Sequence, residues 1–312
     1  MIRLGTRGSA LALAQANWVA ERLPGQVELV PIKTSGDESP RLKGSDPLSL
    51  RDSRGLTPPD KSRFVKEIEE ALLSGRVDLA VHSAKDVPAE LPDGLTIMGV
   101  PERADPRDAL CGAGSLDELA DSAVVGTASL RRRAALLAQR PDLDVRELRG
   151  NVDTRLRRLA DGDFGAIVLA QAGLDRLGRG AEGSPLDPAA MVPAPGQGSL
   201  VLEGRADDST VFEAVRPLTD LDALACLAAE RAVVRGLEAT CHTPIGAHAV
   251  LDHDRLRLTV FVGLPDGSQW IRDELDGPAD DPANVGGRVA ERMRAAGAAE
   301  LLEEAERAVA AG

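Results

Sequence analysis

Lys85 and Asp86 stand side by side just after a short apolar segment, residues 77–81, and Pro88 follows them closely. The apolar run predicts a strand. Ligands of open α/β sheets bind outside the carboxyl ends of the strands, so we expect Lys85 and Asp86 to line a crevice. A carboxylate in that place can accept hydrogen bonds from ligand N–H groups or stabilise a cation that forms during a reaction. His82, just before the pair, is interpreted as a hydrogen-bonded structural residue rather than a base.

Arginines recur just after other predicted strands, at the turns where helices begin. Free backbone N–H groups and the positive end of the helix dipole attract anions at these turns. Guanidinium groups bind carboxylates through paired hydrogen bonds. A single arginine of this kind is more often a solvated helix residue, but the set predicts a ligand with several carboxylates or phosphates. The set comprises Arg7 before Ser9, Arg131 and Arg132 after residues 126–129, and Arg149 and Arg155 around Gly150.

The three cysteines, Cys111, Cys226 and Cys241, lie far apart and form no CxxC pair. This usage favours a reducing compartment without a disulfide framework or a zinc knuckle. Cys111 and Cys226 are interpreted as small buried hydrophobic residues. Cys241 falls in a tight loop after a helix, and its sequence context leaves burial and chemical use about equally supported. His242 beside it either lowers the pKa of the thiol or is simply exposed.

Composition excludes several classes of function. The chain has 312 residues and a net charge of −13, which argues against a general binder of nucleic acid or anionic membranes. No stretch approaches the roughly 20 apolar residues that cross a bilayer. Residues 2–5 already predict a strand rather than a signal peptide, so we expect a cytoplasmic protein. The four histidines form no HxxxH or HExxH pattern, and no P-loop or GxSxG motif is present, so we expect no metal.

The predicted elements divide the chain into three domains of α/β class. Strands and helices alternate over the first 100 residues, which predicts a mixed, mainly parallel sheet. The long polar segment 34–60 is typical of a lid or a binding loop. A hairpin over residues 247–263, a third strand and one long C-terminal helix over 284–310 predict a smaller α+β module. The expected domains are 1–100 with 200–217, then 104–195, then 218–312.

Seven segments, in order, resemble the porphobilinogen deaminase (hydroxymethylbilane synthase) family. Each segment alone is a weak signal, but together they are specific and span about residues 2–250. They are Leu4–Ala12 (LGTRGSALA), Phe64–Glu69 (FVKEIE), His82–Pro88 (HSAKDVP), Val125–Arg132 (VGTASLRR), Leu148–Leu156 (LRGNVDTRL), Pro193–Gly198 (PAPGQG) and Cys241–Gly246 (CHTPIG).

The resemblance implies two lobes like those of periplasmic binding proteins, with a smaller α+β C-terminal domain. It also implies a dipyrromethane cofactor attached to Cys241 through a thioether. The implied reaction joins four porphobilinogen molecules head to tail into linear hydroxymethylbilane with release of ammonia, a step of haem, chlorophyll and cobalamin biosynthesis. The resemblance further implies a cytoplasmic monomer that acts on this small molecule and binds neither nucleic acid nor membrane.

The same resemblance implies roles for individual residues. Asp86 becomes the catalytic carboxylate, because it can stabilise the azafulvenium cation left when ammonia departs from an aminomethylpyrrole. The implied cofactor-binding residues are Cys241, Lys85, Asp86, Ser83, Thr127, Ser129, Arg131, Arg132 and Gly150. The implied substrate-binding residues are Arg7, Ser9, Arg149, Arg155, Phe64 and Lys61.

The sequence also departs from the family pattern near the cysteine. Ala239-Thr240 replaces a usual pair of glycines, and His242-Thr243 replaces a usual Gln-Val. The segment before the Phe64 helix is longer than usual. Two alternatives therefore stay open beside the synthase: a diverged paralogue acting on another aminomethylpyrrole, and a non-catalytic module that binds polyanions.

Overall fold

The computed structural model describes residues 1–34, 65–240 and 243–311. The segment 35–64 lies outside this range, and so do the predicted lid and the two predicted substrate-binding residues Lys61 and Phe64. Cys241 and His242 also lie outside the described residues. The first helix after this segment is described from Lys66, and it ends at Leu73 because Gly75 adopts a positive φ of 68°.

The first lobe contains a five-stranded sheet in the order β2-β1-β3-β10-β4. β1, β2 and β3 run parallel, and β10 pairs antiparallel with β3 and β4. The chain therefore leaves this lobe after β4 and returns to the middle of its sheet. The elements are β1 (Ile2–Arg7), α1 (Ala10–Ala20), β2 (Val27–Ile32), α2 (Lys66–Leu73), β3 (Leu79–Ser83), β4 (Leu95–Gly99), β10 (Leu200–Arg205) and α6 (Ser209–Val215).

The second lobe contains another five-stranded sheet, in the order β7-β6-β8-β5-β9. β6, β7 and β8 are parallel, whereas β5 runs antiparallel to β8 and β9. The elements are β5 (Asp108–Cys111), β6 (Val124–Gly126), α3 (Leu130–Gln139), β7 (Asp144–Arg146), α4 (Val152–Ala160), β8 (Ala166–Ala170), α5 (Gln171–Arg176) and β9 (Ser184–Pro185).

The C-terminal part forms a three-stranded antiparallel sheet covered by helices. Its core joins apolar residues of all three strands to residues of the helices. The single helix predicted over 284–310 is wrong, because the chain breaks at Gly297, which has a φ of 94°. The elements are α7 (Leu221–Gly236), β11 (Ile245–Asp252), β12 (Arg255–Gly263), β13 (Trp270–Pro278), α8 (Pro282–Ala295) and α9 (Ala298–Ala311).

The predicted fold class, two α/β lobes with mixed sheets and a smaller α+β domain, is confirmed. The strand predicted over residues 77–81 is shifted: β3 covers Leu79–Ser83, because its pairing with β10 continues to Ser83. β4, β5, α5 and α6 were not predicted. No helix within the described residues is long and apolar enough to span a membrane.

A buried ion pair lies where the two lobes meet the C-terminal part. Arg103, on the segment leaving the first lobe, donates to both carboxylate oxygens of Glu230 of α7, at 2.7 and 3.2 Å. The backbone N–H groups of Gly196 and Ala249 donate to the same carboxylate at 2.6 and 2.8 Å. Glu230 is fully buried. Its contacts tie three parts of the chain to α7: the segment of Arg103 that leaves the first lobe, the segment of Gly196 that returns to it, and β11.

Candidate functional site

The Lys85–Asp86 pair lies on a single 3₁₀ turn, Ala84–Asp86, that follows β3 directly. The Ala84 N–H donates to the Ser199 carbonyl at 3.0 Å, which ties the turn to the chain that enters β10. Lys85 and Asp86 are half-buried, as is Ser83 at the end of the strand. The turn is therefore held by its backbone, while its polar side chains are left partly accessible.

Arg7 and Ser9 lie at the same edge of the first sheet as the Lys85–Asp86 turn. β1 ends at Arg7 and runs parallel to β3, so both strands present their carboxyl ends on one side. Ser9 caps α1 by accepting a hydrogen bond from the Ala12 N–H at 3.3 Å. The structure thus places four predicted site residues along one edge, where open α/β sheets bind their ligands. They are Arg7, Ser9, Lys85 and Asp86.

The second lobe places its predicted site residues at the carboxyl ends of β6 and β7. Ser129 caps α3 by accepting from the Arg132 N–H at 3.4 Å, and the buried Thr127 hydroxyl accepts from the Ser129 N–H at 3.2 Å. Gly150 precedes α4 with a φ of 118°, a conformation that L side chains rarely adopt. The N-termini of α3 and α4 therefore lie at the same edge of the sheet, where their free N–H groups can stabilise an anion.

Arg131 and Arg132 are buried and both contact one carboxylate, Asp108, which the sequence analysis missed. Arg131 donates to Asp108 at 2.7 Å and to the Val192 carbonyl at 2.7 Å. Arg132 donates to Asp108 at 3.0 Å and to the Val168 carbonyl at 2.8 Å. Burial opposes ionisation of Asp108, but the charges of the two arginines outweigh it and hold its pKa well below the usual range. Asp108 begins β5, and recognition of that strand would have revealed it.

Positive charges converge at the N-terminus of α4. The Arg155 Nε donates to the Gly150 carbonyl at 2.7 Å. Burial, followed by the positive charges of Arg132 and Arg149, lowers the pKa of Arg155 to about 10. Arg149 is exposed and pairs with Glu147 at 2.6 Å. Two further guanidinium groups thus lie close enough to Arg155 to disfavour its positive charge, and a ligand carboxylate beside Arg155 would offset that repulsion.

A buried donor in this region also fits a carboxylate ligand. The Arg131 Nε is buried, and no hydrogen-bond partner for it is present within the described residues. Buried donors in folded proteins are almost always hydrogen-bonded. A ligand carboxylate at the α3 N-terminus would supply the missing acceptor, so the residues present fit a group that carries carboxylates.

The sheet edges that carry the predicted site residues approach one another through α1 and α5. These helices begin at the carboxyl ends of β1 and β8, and a Cβ built on Gly173 would lie 3.7 Å from the Leu11 Cδ2. Arg176, which ends α5, donates to the Gly198 carbonyl at 2.7 Å. Burial lowers the pKa of Arg176 to about 10. The sequence analysis did not single out Arg176, because α5 was not predicted.

The two described cysteines and His82 are buried. Cys111 and Cys226 are buried, as predicted, and burial raises the pKa of each thiol to about 11. His82 is buried, with its Nε2 3.0 Å from an oxygen of Glu203. Within the described residues, no group of histidines, cysteines and acidic residues has the arrangement of a metal site. Cys241 lies outside those residues, so its attachment role stays a prediction.

Comparison with known proteins places this geometry in a family. Residues 2–213 match the profile described as "Porphobilinogen deaminase, dipyromethane cofactor binding domain", and residues 224–295 match "Porphobilinogen deaminase, C-terminal domain". The first profile covers both lobes and every described arginine of the predicted site.

Curated relatives agree over nearly the whole chain. Porphobilinogen deaminase of Trichlorobacter lovleyi is 45% identical over 310 residues, which cover 97% of this chain and 96% of the relative. Porphobilinogen deaminase of Deinococcus radiodurans is 43% identical, with 97% and 98% covered. Among solved structures, a periplasmic substrate-binding protein of an ABC transporter from Coxiella burnetii aligns with a TM-score of 0.41 and 15% identity, covering 74% of this chain and 97% of that protein. This chain belongs to the porphobilinogen deaminase family.

Proposed function

We propose that this protein is a hydroxymethylbilane synthase: a transferase that joins four porphobilinogen molecules head to tail, releases one ammonia at each step and so serves tetrapyrrole biosynthesis. The observation that carries the proposal is the placement of Arg149 and Arg155 around Gly150 at the N-terminus of α4, with Arg132 of α3 close enough for its charge to act on Arg155. Each pyrrole of the substrate brings two carboxylates, so the growing chain needs cationic groups in a protein whose net charge is −13.

The cofactor of the family fits the residues described above. We infer that Cys241 holds dipyrromethane through a thioether. Its carboxylates and N–H groups would be bound by Ser83, Lys85, Asp86, Thr127, Ser129, Arg131, Arg132 and Gly150. The Arg131 Nε, which has no hydrogen-bond partner in the described part of the chain, and the two capped helix N-termini support this assignment. When bound, the cofactor supplies the tethered pyrrole to which the first substrate is added.

Asp86 carries the chemical step in this proposal. Departure of ammonia from porphobilinogen leaves an azafulvenium cation, and the carboxylate of Asp86 stabilises it by accepting a hydrogen bond from the pyrrole N–H. A carbon–carbon bond then forms to the free α carbon of the chain end, and that carbon releases its proton. Lys85 neutralises a neighbouring carboxylate of the bound pyrrole chain. The charge of Asp86 is then left to act on the cation.

Substrate carboxylates are assigned to both lobes. Arg7 and Ser9 would bind from the first sheet edge, and Arg149 and Arg155 from the second. Lys61 and Phe64 would contact the substrate from the segment outside the described residues. We further propose a monomeric cytoplasmic protein that binds neither nucleic acid nor membrane. The acidic net charge and the free, buried Cys111 and Cys226 support this part of the proposal.

Intact mass and turnover test the proposal together. After expression in a host that makes porphobilinogen, the protein is expected to carry the mass of a dipyrromethane, and Cys241→Ser is expected to lack it. Asp86→Asn is expected to keep the added mass but to lose at least about 100-fold in turnover. An unmodified cysteine would favour the polyanion-binding alternative. Added mass without turnover of porphobilinogen would favour the diverged paralogue.

A further inference from the structure

Three titratable side chains meet on the buried face of the first sheet. His82 of β3 and Glu203 of β10 point to the same face, because Glu203 pairs with Ala80 and Val201 pairs with His82 in the antiparallel register. Glu69 of α2 is buried above them, on the helix that packs against Ala80. Their exposed fractions are 5% for His82, 0% for Glu203 and 8% for Glu69.

The polar atoms of this cluster are poorly satisfied. The His82 Nε2 lies 3.0 Å from a Glu203 oxygen, yet the orientation does not make a hydrogen bond. Within the described residues, neither Glu203 oxygen has a hydrogen-bond partner, and nor does the Glu69 Oε1. Leaving three buried acceptors unpaired is costly. A proton on one of them provides a donor and removes one negative charge.

The charges around the cluster favour retention of such a proton. Burial, followed by the negative charge of Glu203, raises the pKa of Glu69 to about 7, while His82 lowers it. From α7, Arg231 faces the same sheet: burial and Arg235 lower its pKa and Glu203 raises it. The charged groups that face the cluster thus come from α2, β3, β10 and α7.

The position of the cluster joins three parts of the proposed site. His82 is followed within four residues by the Lys85–Asp86 turn. α2 begins at Lys66, directly after segment 35–64, and α7 ends at Gly236, shortly before residue 241. Arg231 also donates to the Ala89 carbonyl at 2.8 Å, just beyond the turn. A change in charge here would therefore act on the backbone that carries Asp86.

We infer that Glu69 keeps a proton in the folded protein beside His82 and Glu203, and that these three buried residues are positioning residues for the Lys85–Asp86 turn, which follows β3 directly. None of the three is placed in contact with the substrate. The positioning role rests on the proposed function of Asp86. The proton on Glu69 is a property of the fold and can be measured without that function.

The Glu69 proton is tested by the pH dependence of stability in the cofactor-loaded protein. Wild type is expected to lose stability between about pH 5 and 8, since Glu69 is protonated in the folded state and ionised in the unfolded state. Glu69→Gln should abolish that loss. Glu203→Gln should lower the pH at which this loss of stability is complete, and His82→Asn should raise that pH. Glu70→Gln, an exposed neighbour on α2, is the matched control and should behave as wild type.

Kinetics test the positioning role. Glu203→Gln and His82→Asn, assayed where they are folded and loaded, are expected to lower kcat about tenfold or more with KM within about twofold. His82→Gln serves if the asparagine variant does not fold. The inference is overturned if Glu69→Gln leaves the pH dependence of stability unchanged, or if all variants keep wild-type kcat. Normal turnover in Asp86→Asn would instead remove the catalytic assignment of Asp86 and leave the inferred Glu69 proton unaffected.

Discussion

Gly196 packs directly against the backbone of Lys85. A Cβ built on Gly196 would lie 3.1 Å from the Lys85 nitrogen and 2.8 Å from the Ala84 Cβ, and the residue has a φ of 73°. Its N–H donates to the buried carboxylate of Glu230 at 2.6 Å. The segment that returns to the first lobe therefore supports the turn carrying Asp86, and α7 in turn anchors that segment.

Gly196→Ala is expected to reduce catalysis more than backbone strain alone would. The left-handed conformation costs roughly 1–2 kcal/mol for a non-glycine residue, and the added methyl group must displace the Lys85–Asp86 turn. Gly178→Ala is the control, because Gly178 has a φ of 69° and open space around its Cβ position. Melting temperature and kcat of the loaded proteins separate the two effects. Equal kcat in the two variants would refute the contact as a support of the site.

Asp108→Asn is expected to destabilise the second lobe strongly. The substitution leaves Arg131 and Arg132 buried without their counter-charge, a loss of about 3–5 kcal/mol. Because the pKa of Asp108 is lowered in the folded state, its contribution is present above about pH 4 and is lost as pH falls below that value. Denaturant unfolding at pH 7 and pH 3 measures both effects.

The control for Asp108 is Asp105→Asn, which breaks the more exposed pair with Arg107. Pairs of that kind contribute at most about 1 kcal/mol. A comparable loss of stability in the two variants would show that the buried ion pairs of Asp108 contribute no more to stability than the exposed pair.

Arg155→Gln is expected to separate function from stability. Its guanidinium is desolvated and repelled by Arg132 and Arg149, so its removal should change the free energy of unfolding by less than about 1 kcal/mol. Turnover of porphobilinogen should fall at least about tenfold, because a carboxylate of the growing chain loses its partner. Arg157→Gln, on the exposed face of the same helix, should leave both quantities unchanged. A large loss of stability without loss of turnover would assign Arg155 a structural role.

Alkylation of the native protein is expected to spare Cys111 and Cys226. Their pKa of about 11 leaves on the order of 0.1% thiolate at pH 8, and both side chains are buried. Peptide mass mapping after treatment with iodoacetamide should show neither residue modified until the protein is denatured. Rapid labelling of either cysteine in the folded protein would contradict this placement.

Local patterns were sufficient where structure is dictated by near neighbours. Helices begin at the predicted turns of Ser9 and Ser129, and each serine caps its helix, since a cap needs only residues one turn away. The burial of Cys111 and Cys226 also followed from their apolar context. The C-terminal helix was predicted as continuous because alanine-rich sequence on both sides obscured the break at Gly297.

By itself, the sequence determined the α/β class, the order of the helix-starting turns that carry Arg7, Arg131 and Arg149, and the resemblance that led to the family. Only the tertiary structure showed that Asp108 lies between Arg131 and Arg132, that Gly196 supports Lys85, and that Glu203 lies beside His82. These contacts join residues from separate strands and helices. Their charges and close approaches depend on how the sheets are ordered and on which side chains lose water, and neither is visible in a local pattern.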